Sequence, residues 1–371
     1  MRQEVPSPPS SGPKKLRYHT IREAIRRDIE LSRYGPGERL PSDAELAVRF
    51  DASRLTVIRA IRELEIEGLV QRKAGSGTFV RIIAAKTTQV FGILMPDLGD
   101  GEVFEPIAQG IAQAGELLHH RMLWGSAPAS GHVKEQYAEE LCRYFISRKV
   151  SGVFFAPVEL TAHQDDINRR IAHDLTAAGI PIVLVDRCVC PYPERSRYDL
   201  VGIDNHRAGF RMTVRLKEAG CGRIAFAFRP GSAPTVAARM AGYRTALRDG
   251  GLPEMQVQVG SEDSDELREF VERERPDGVV CANDLTAAKL MHKLLKLGLR
   301  IPEDVRMVGI NDVKYASFLP VPLTTLHQPC QQIGSAAMSA MLDRLENPAA
   351  PTRDVLLDCE LVVRQSCGTP A

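Results

Sequence analysis

The sequence predicts an α/β protein: an amino-terminal winged helix-turn-helix followed by a two-subdomain body of doubly wound parallel sheets. Three observations carry this. Residues 16–81 hold two S/T-x-x-E capping boxes, apolar positions at helical spacing and a glycine-tipped hairpin. From residue 89 onward, short β-rich apolar runs alternate with longer amphipathic stretches. The 371-residue length exceeds one ordinary domain and suits two or three.

The amino-terminal elements follow in order. Thr20-Ile21-Arg22-Glu23 reads as a capping box, and Ile21, Ala24, Ile25 and Ile29 give one apolar face. Tyr34-Gly35-Pro36-Gly37 stops that helix. Ser42-Asp43-Ala44-Glu45 opens a second, short helix with Leu46, Ala47 and Phe50 inward. Asp51-Ala52 makes the turn. Ser53 caps a third helix whose inward side is Val57, Ala60, Ile61 and Leu64, ending at Gly68. Leu69–Lys73 and Phe79–Arg81 read as strands joined through Gly75-Ser76-Gly77.

Arg54, Leu55, Thr56 and Arg59 are left outward at the front of the third helix. Such a helix entering a major groove sets these side chains on base edges, with Arg suited to guanine. Helix N-termini also hold phosphates, and a glycine tip lets backbone approach a minor groove. Each residue alone fits an ordinary surface better; the ordered set points to double-stranded DNA. Charge agrees: residues 14–81 carry 15 Lys and Arg against 10 Asp and Glu, while the chain as a whole is only +1.

This module resembles the GntR-family winged helix, whose pattern runs close to P-G-x-x-L-P-S-E-x-E-L, V-S-R-x-T-V-R-x-A-L and G-x-G-T-F-V. The resemblance implies DNA contacts from Arg54 and Thr56 and a wing at Gly75 and Gly77. Ser42 and Ser53 at the helix starts, and Ser76 and Thr78 in the wing, complete the candidate set. Ile58 stands where the family usually carries a second Arg, with Arg59 next to it. Either Arg59 replaces that contact from a shifted angle or Ile58 touches a thymine methyl, so the operator is expected to depart from the family's common half-site.

Residues 82–88 read as a linker. Beyond it, strands are expected at 90–95, 152–156, 182–185, 200–203, 224–228, 279–282 and 307–310. Helices are expected at 105–120, 134–147, 164–178, 206–219, 236–248, 265–274 and 285–297. Polar residues sit just past four strand ends: Asp97, Asp186-Arg187, Asn283-Asp284 and Asn311-Asp312. In open α/β sheets the ligand crevice lies at those ends. The competing explanation, that Asp and Asn are favoured helix caps, weighs about equally for Asp284 and Asp312, and Asp204 reads as a cap.

The body resembles the sugar-sensing domain of LacI and galactose-repressor type regulators, itself similar to periplasmic binding proteins. The motifs are Val201-Gly202-Ile203-Asp204-Asn205, Ala238-Arg239-Met240-Ala241-Gly242-Tyr243, Ala282-Asn283-Asp284-Leu285-Thr286-Ala287, Ile301-Pro302-Glu303-Asp304-Val305, Val308-Gly309-Ile310-Asn311-Asp312 and Pro322-Leu323-Thr324-Thr325-Leu326-His327-Gln328-Pro329. The resemblance implies effector contacts from Asp186, Arg239, Asn283 and Asn311. Asn311 stands where the family usually has Asp. The family's first loop, P-x-x-x-N-P-F-F, is here 96–106 with Phe104 as its only Phe. Trp124, the single tryptophan, reads better as half-buried and structural than as a sugar-stacking ring.

The expected protein is a cytoplasmic homodimeric regulator, probing a two-fold operator and controlled by a small sugar or polyol in the cleft. An enzyme on a doubly wound fold is the alternative. It lacks support: there is no G-x-S-x-G, G-x-x-x-x-G-K-[ST] or H-E-x-x-H. A transported-solute binder conflicts with the attached DNA module. Eight scattered cysteines without a C-x-x-C pair predict neither metal nor cofactor, only reduced thiols. No apolar run reaches the roughly 18 residues of a membrane helix. Residues 1–15 are expected to be a disordered tail rather than a signal peptide.

Overall fold

In the computed structural model the chain divides into two compact units, Met1–Thr87 and Thr88–Ala371. The structure describes residues 16–30, 33–35, 37–73, 75–81, 88–96, 98, 102–125, 134–260 and 264–368. The expected tail, residues 82–87 of the expected linker and Asp97 lie outside the described residues.

The first unit runs α1 (Leu16–Glu30), α2 (Asp43–Arg49), α3 (Arg54–Ile66), β1 (Val70–Lys73) and β2 (Gly77–Val80). Ile21, Ile25, Leu40, Leu46, Val57, Ala60, Ile61, Leu64, Val70 and Val80 form one core. The Ser42 box closes reciprocally: Glu45 N–H donates to Ser42 Oγ, and Ser42 N–H donates to Glu45 Oε2 at 2.7 Å. The Thr20 box does not open a helix. α1 begins one turn earlier, at Leu16, and Tyr18 in that extra turn packs against the core. The second wing strand starts at Gly77 rather than Phe79, because Lys73 pairs with Gly77 across the hairpin.

The second unit holds two six-stranded sheets. In chain order come β3 (Val90–Leu94), α4 (Phe104–Leu117), β4 (Arg121–Trp124), α5 (Lys134–Ser147), β5 (Gly152–Phe155), α6 (Gln164–Ala177), β6 (Ile182–Val185) and β7 (Asp199–Ile203). Then follow α7 (Asn205–Glu218), β8 (Ile224–Phe228), α8 (Pro234–Arg248), β9 (Met255–Gln258), α9 (Ser264–Glu274), β10 (Gly278–Cys281), α10 (Asp284–Lys296), β11 (Arg306–Asn311) and β12 (Thr324–His327). Last are α11 (Cys330–Glu346), β13 (Asp354–Leu357) and β14 (Glu360–Val362). The first sheet is ordered β13-β7-β6-β5-β3-β4 and is parallel throughout. The second is β14-β12-β11-β10-β8-β9, parallel except for the β12–β14 pair.

All seven strands expected in the body are present, with ends shifted by at most a residue. Five others escape an apolar-run reading for physical reasons. β4 and β9 sit at sheet edges, and β9 alternates buried and exposed positions. β13 and β14 are edge strands as well. β12 buries Thr324 and Thr325, which are tolerated because Thr325 Oγ1 donates to Asp284 Oδ1 at 2.7 Å and Thr324 Oγ1 donates to the Arg364 carbonyl.

The chain crosses between the two sheets three times: from β7 to α7, from β12 to α11, and from β13 to β14. The carboxy-terminal α11 therefore returns to the first subdomain, where it packs on α4. Gly110 and Gly334 make that approach possible; a Cβ on Gly110 would run into the Gln331 carbonyl. In the second subdomain Gly209 of α7 faces the Arg239 backbone of α8 in the same way. That close packing fixes where Arg239 stands.

Candidate functional site

On α3 the spacing separates two faces. Val57, Ala60, Ile61 and Leu64 are buried. Arg54, Leu55 and Arg59 are exposed, Leu55 at 78%. Arg62, which sequence reading passed over, continues the exposed row at i+7 from Leu55. Ile58 and Thr56 are half-buried. Thr56 is engaged in the cap: its N–H donates to Ser53 Oγ, and the two hydroxyls lie 2.8 Å apart. Arg59 is held over the Tyr18 ring of α1, 3.9 Å from its centroid. Ser42 and Ser53 occupy the N-caps of α2 and α3. In the wing, Gly75 has φ +72° with open space around it, Ser76 is exposed, and Gly77 has φ +113° with Arg39 close against it. Thr78 corrects an expectation: its side chain is buried within the module, because alternation along β2 turns residues 78 and 80 inward.

In the second unit a cavity of about 500 Å³ opens at the carboxyl ends of the strands of both sheets. Six of the seven expected effector residues line it: Phe104, Asp186, Arg187, Arg239, Asn283 and Asn311. Asp97 lies outside the described residues.

Each wall residue is set by its element. Asp186 ends β6 at φ +69°, in a γ-turn closed by Arg187 N–H to the Val185 carbonyl at 2.8 Å. That conformation is rare for a residue with a Cβ and aims adjacent side chains sharply. Arg187 is buried and binds Glu159 Oε1 at 2.9 Å and Asp186 Oδ2 at 3.2 Å, with Phe104 under its guanidinium at 4.8 Å. Phe104 is buried in the first turn of α4. Arg239, 4% exposed, donates through Nε to Asn205 Oδ1 at 2.8 Å and through Nη1 to the Ala282 carbonyl at 2.6 Å. Burial pulls its guanidinium below the ordinary value, against the fields of Asp186 and Glu159.

The cap-or-contact ambiguity resolves residue by residue. Asn283 caps α10, its Oδ1 accepting from Thr286 N–H and Oγ1, yet it also lines the cavity. Asp284 does not line it. It is fully buried, accepts from Thr325 and from Val313 N–H, and burial raises its carboxyl to about 6. Asp312 pairs with Arg364 at 2.7 Å, and Asp204 caps α7 through Arg207 N–H. Asn311 has φ +133°, and its buried Oδ1 has no hydrogen-bond partner among the described residues. Trp124 is 55% exposed on an edge strand, more open than expected, and is not among the residues that line the cavity.

Sequence reading missed Arg229, the first residue past β8, and Glu159, in the loop after β5 beyond Ala156, Pro157 and Val158. The strand-end rule that found Asp186 could have found Arg229. Glu159 crosses the cleft: its Oε2 accepts Ala233 N–H at the start of α8, at 3.0 Å. Leu160 N–H donates to the Gly231 carbonyl beside it, and Gln328 Nε2 donates to Asp186 Oδ1 at 3.2 Å. Burial works to raise the Glu159 carboxyl, but the Arg187 guanidinium and the Ala233 N–H hold it below its usual range. No group of His, Cys, Asp or Glu among the described residues could hold a metal ion.

The first unit is thus a winged helix-turn-helix, and the second a two-sheet body of periplasmic-binding-protein-like fold with a cleft at its strand ends. Residues 17–80 match the model of the bacterial regulatory proteins of the gntR family, and residues 213–367 match that of the periplasmic binding protein-like domain. The chain is similar to the arabinose metabolism transcriptional repressor of Geobacillus stearothermophilus, 28% identical over 94% of this chain and 97% of that one. The HTH-type transcriptional regulator CelR of Thermobifida fusca is 29% identical over 85% of this chain and 89% of that one. Among solved structures, the complex of transcriptional regulator CelR with cellobiose superposes with a TM-score of 0.62 at 23% identity, covering 96% of this chain and 100% of that one. The regulator CcpA of Lactococcus lactis gives 0.62 at 21%, over 75% and 99%.

Proposed function

We propose that this protein is a sugar-controlled repressor that binds a two-fold operator as a dimer. Residues 16–81 form the DNA-binding domain, 82–88 the linker, and 89–371 the effector and dimerisation domain, after a tail at 1–15. Arg54, Leu55, Thr56, Ile58 and Arg59, with the starts of α2 and α3 and the Gly75–Gly77 tip, read the DNA. The observation that carries the sensor half is the cavity in the second unit, with polar groups contributed by both sheets. Its mixture of guanidinium, carboxylate and amide groups beside the Phe104 ring suits a small polyhydroxylated ligand. The ligand closes the cleft and changes the spacing of the two DNA-binding domains, provided that it binds one arrangement better than the other. The names of similar proteins support this reading: an arabinose metabolism repressor and a regulator solved with cellobiose.

The test is fluorescence anisotropy of the full chain on operator fragments selected from random DNA, with and without added sugars. A two-fold selected site, affinity that falls steeply with salt, and release by at least one sugar are expected. Salt-independent binding, or selected sites without two-fold symmetry, overturns the DNA half; indifference to every sugar and sugar derivative overturns the sensor half.

A further inference from the structure

The cavity's charged groups are not equally occupied. Three of its four carboxylates already have donors, and the fourth, Glu105, is exposed at the start of α4. Glu159 takes Arg187 and Ala233 N–H, Asp186 takes Arg187 and Gln328, and Glu102 accepts from Lys314 N–H. Arg187, the obvious receptor for an anion, is thus neutralised from two sides by its own subdomain.

The opposite wall differs. Arg229, the first residue beyond β8, lines the cavity with no ion pair and no side-chain hydrogen bond among the described residues. Its Nε is buried and unpartnered. Arg239 beside it is nearly fully buried, and its contacts are an amide oxygen and a carbonyl rather than a carboxylate. Thr235 and Val236 bring the first turn of α8 to the same wall, adding the positive end of a helix dipole. Glu159 and Asp186 act on these two arginines only at longer range, and no carboxylate among the described residues pairs with either directly, so an anionic ligand would supply the direct partner that this wall does not. Asn311 Oδ1 supplies the complementary orphan, a buried acceptor that a hydroxyl donor would satisfy.

We infer that the ligand of this cleft is a polyhydroxylated anion, a sugar acid or sugar phosphate, whose anionic oxygens bind Arg229 and Arg239 and one of whose hydroxyls donates to Asn311. This rests on reading the cleft as the effector site, and it narrows that site from sugars in general to charged ones. Carboxylate and phosphate share the chemistry that the guanidinium groups recognise.

Isothermal titration of the full chain with matched probes tests it. The neutral series is D-glucose, D-galactose and D-ribose. The charged series is D-gluconate, D-galacturonate, D-glucose 6-phosphate and D-ribose 5-phosphate, with acetate and inorganic phosphate as bare anions. At least one charged sugar is expected to bind tenfold or more tighter than its neutral counterpart and than either bare anion, and which arm responds tells carboxylate from phosphate. Arg229→Gln is expected to remove that preference by tenfold or more, and Arg229→Lys to keep most of it, which guards against a Gln variant that misfolds. A neutral sugar that binds while its acid and phosphate do not overturns the anionic assignment and leaves the sugar-sensor reading standing. So does a preference that survives in Arg229→Gln. Binding by no member of either series overturns both.

Discussion

Glu159 gives the sharpest test of how the cleft is held. It is an ionised side chain on the first subdomain, 19% exposed, that accepts a backbone N–H from the second. Replacing it by Ala removes that charge-assisted hydrogen bond, worth about 1.5–3 kcal/mol. It also strips Arg187 of one partner. Asp186 remains 3.2 Å away, so the cost stays below the roughly 3–5 kcal/mol of a buried charge left wholly unpaired. Together the loss is about 2–4 kcal/mol. For a unit of this size, at about 2–4 °C per kcal/mol, the melting point of the body falls by roughly 4–16 °C. Glu159→Gln keeps an acceptor for Ala233 and loses only the charge, so it falls between parent and Ala at about 1 kcal/mol. Calorimetric melting supplies the first readout. Hydrogen exchange of the Ala233 amide supplies the second, and it accelerates by about tenfold for each 1.4 kcal/mol lost from the latch. An Ala variant that melts within about 1 °C of the parent, with Ala233 exchange unchanged, refutes the cross-cleft role.

Other outcomes follow from the same geometry. Arg54→Ala is expected to weaken operator binding by about 1–3 kcal/mol and relax preference at one base pair, whereas a uniform loss across all sequences with a shallower salt slope makes it a phosphate contact instead. Gly209→Ala places a methyl group against the Arg239 carbonyl and should destabilise by about 1–3 kcal/mol or more while weakening effector binding; an unchanged melting curve contradicts the close α7–α8 packing. Asp284 has its carboxyl raised by burial from 3.8 to about 6. Its folded state therefore binds the proton more tightly, and its contribution to stability is full below about pH 4 and lost as pH rises through 6. Asp284→Asn should flatten that part of a pH–stability profile, which chemical denaturation between pH 4 and 7 will show. Glu159, held below its ordinary value, contributes with the opposite sign: its stabilisation is present above the usual carboxylate range and is lost on acidification.

The sequence alone determined the elements and much of the site. Capping at Ser42 and Ser53, the inward row Val57-Ala60-Ile61-Leu64 and the glycine tip are local facts, set by spacing and backbone preference. The central strands were legible because a strand buried on both faces is an uninterrupted apolar run. Asp186, Arg239, Asn283 and Asn311 came from strand ends and family motifs, and the structure brings them to one cavity. What only the tertiary structure decided concerns partners distant in sequence. The return of α11 and β13 to the first sheet rests on helix packing at Gly110 and Gly334, which no local pattern encodes. Thr324 and Thr325 look too polar for a buried strand until Asp284 and Arg364 are placed beside them. The same holds for charge. In the sequence Arg187, Arg229 and Arg239 are three equivalent cations. Folding pairs the first with Glu159 and Asp186, gives the third only neutral acceptors as direct partners, and leaves Arg229 at the cavity wall with no direct ion pair among the described residues. A residue's type is written in the chain, but the field it experiences depends on distances that only the folded state creates.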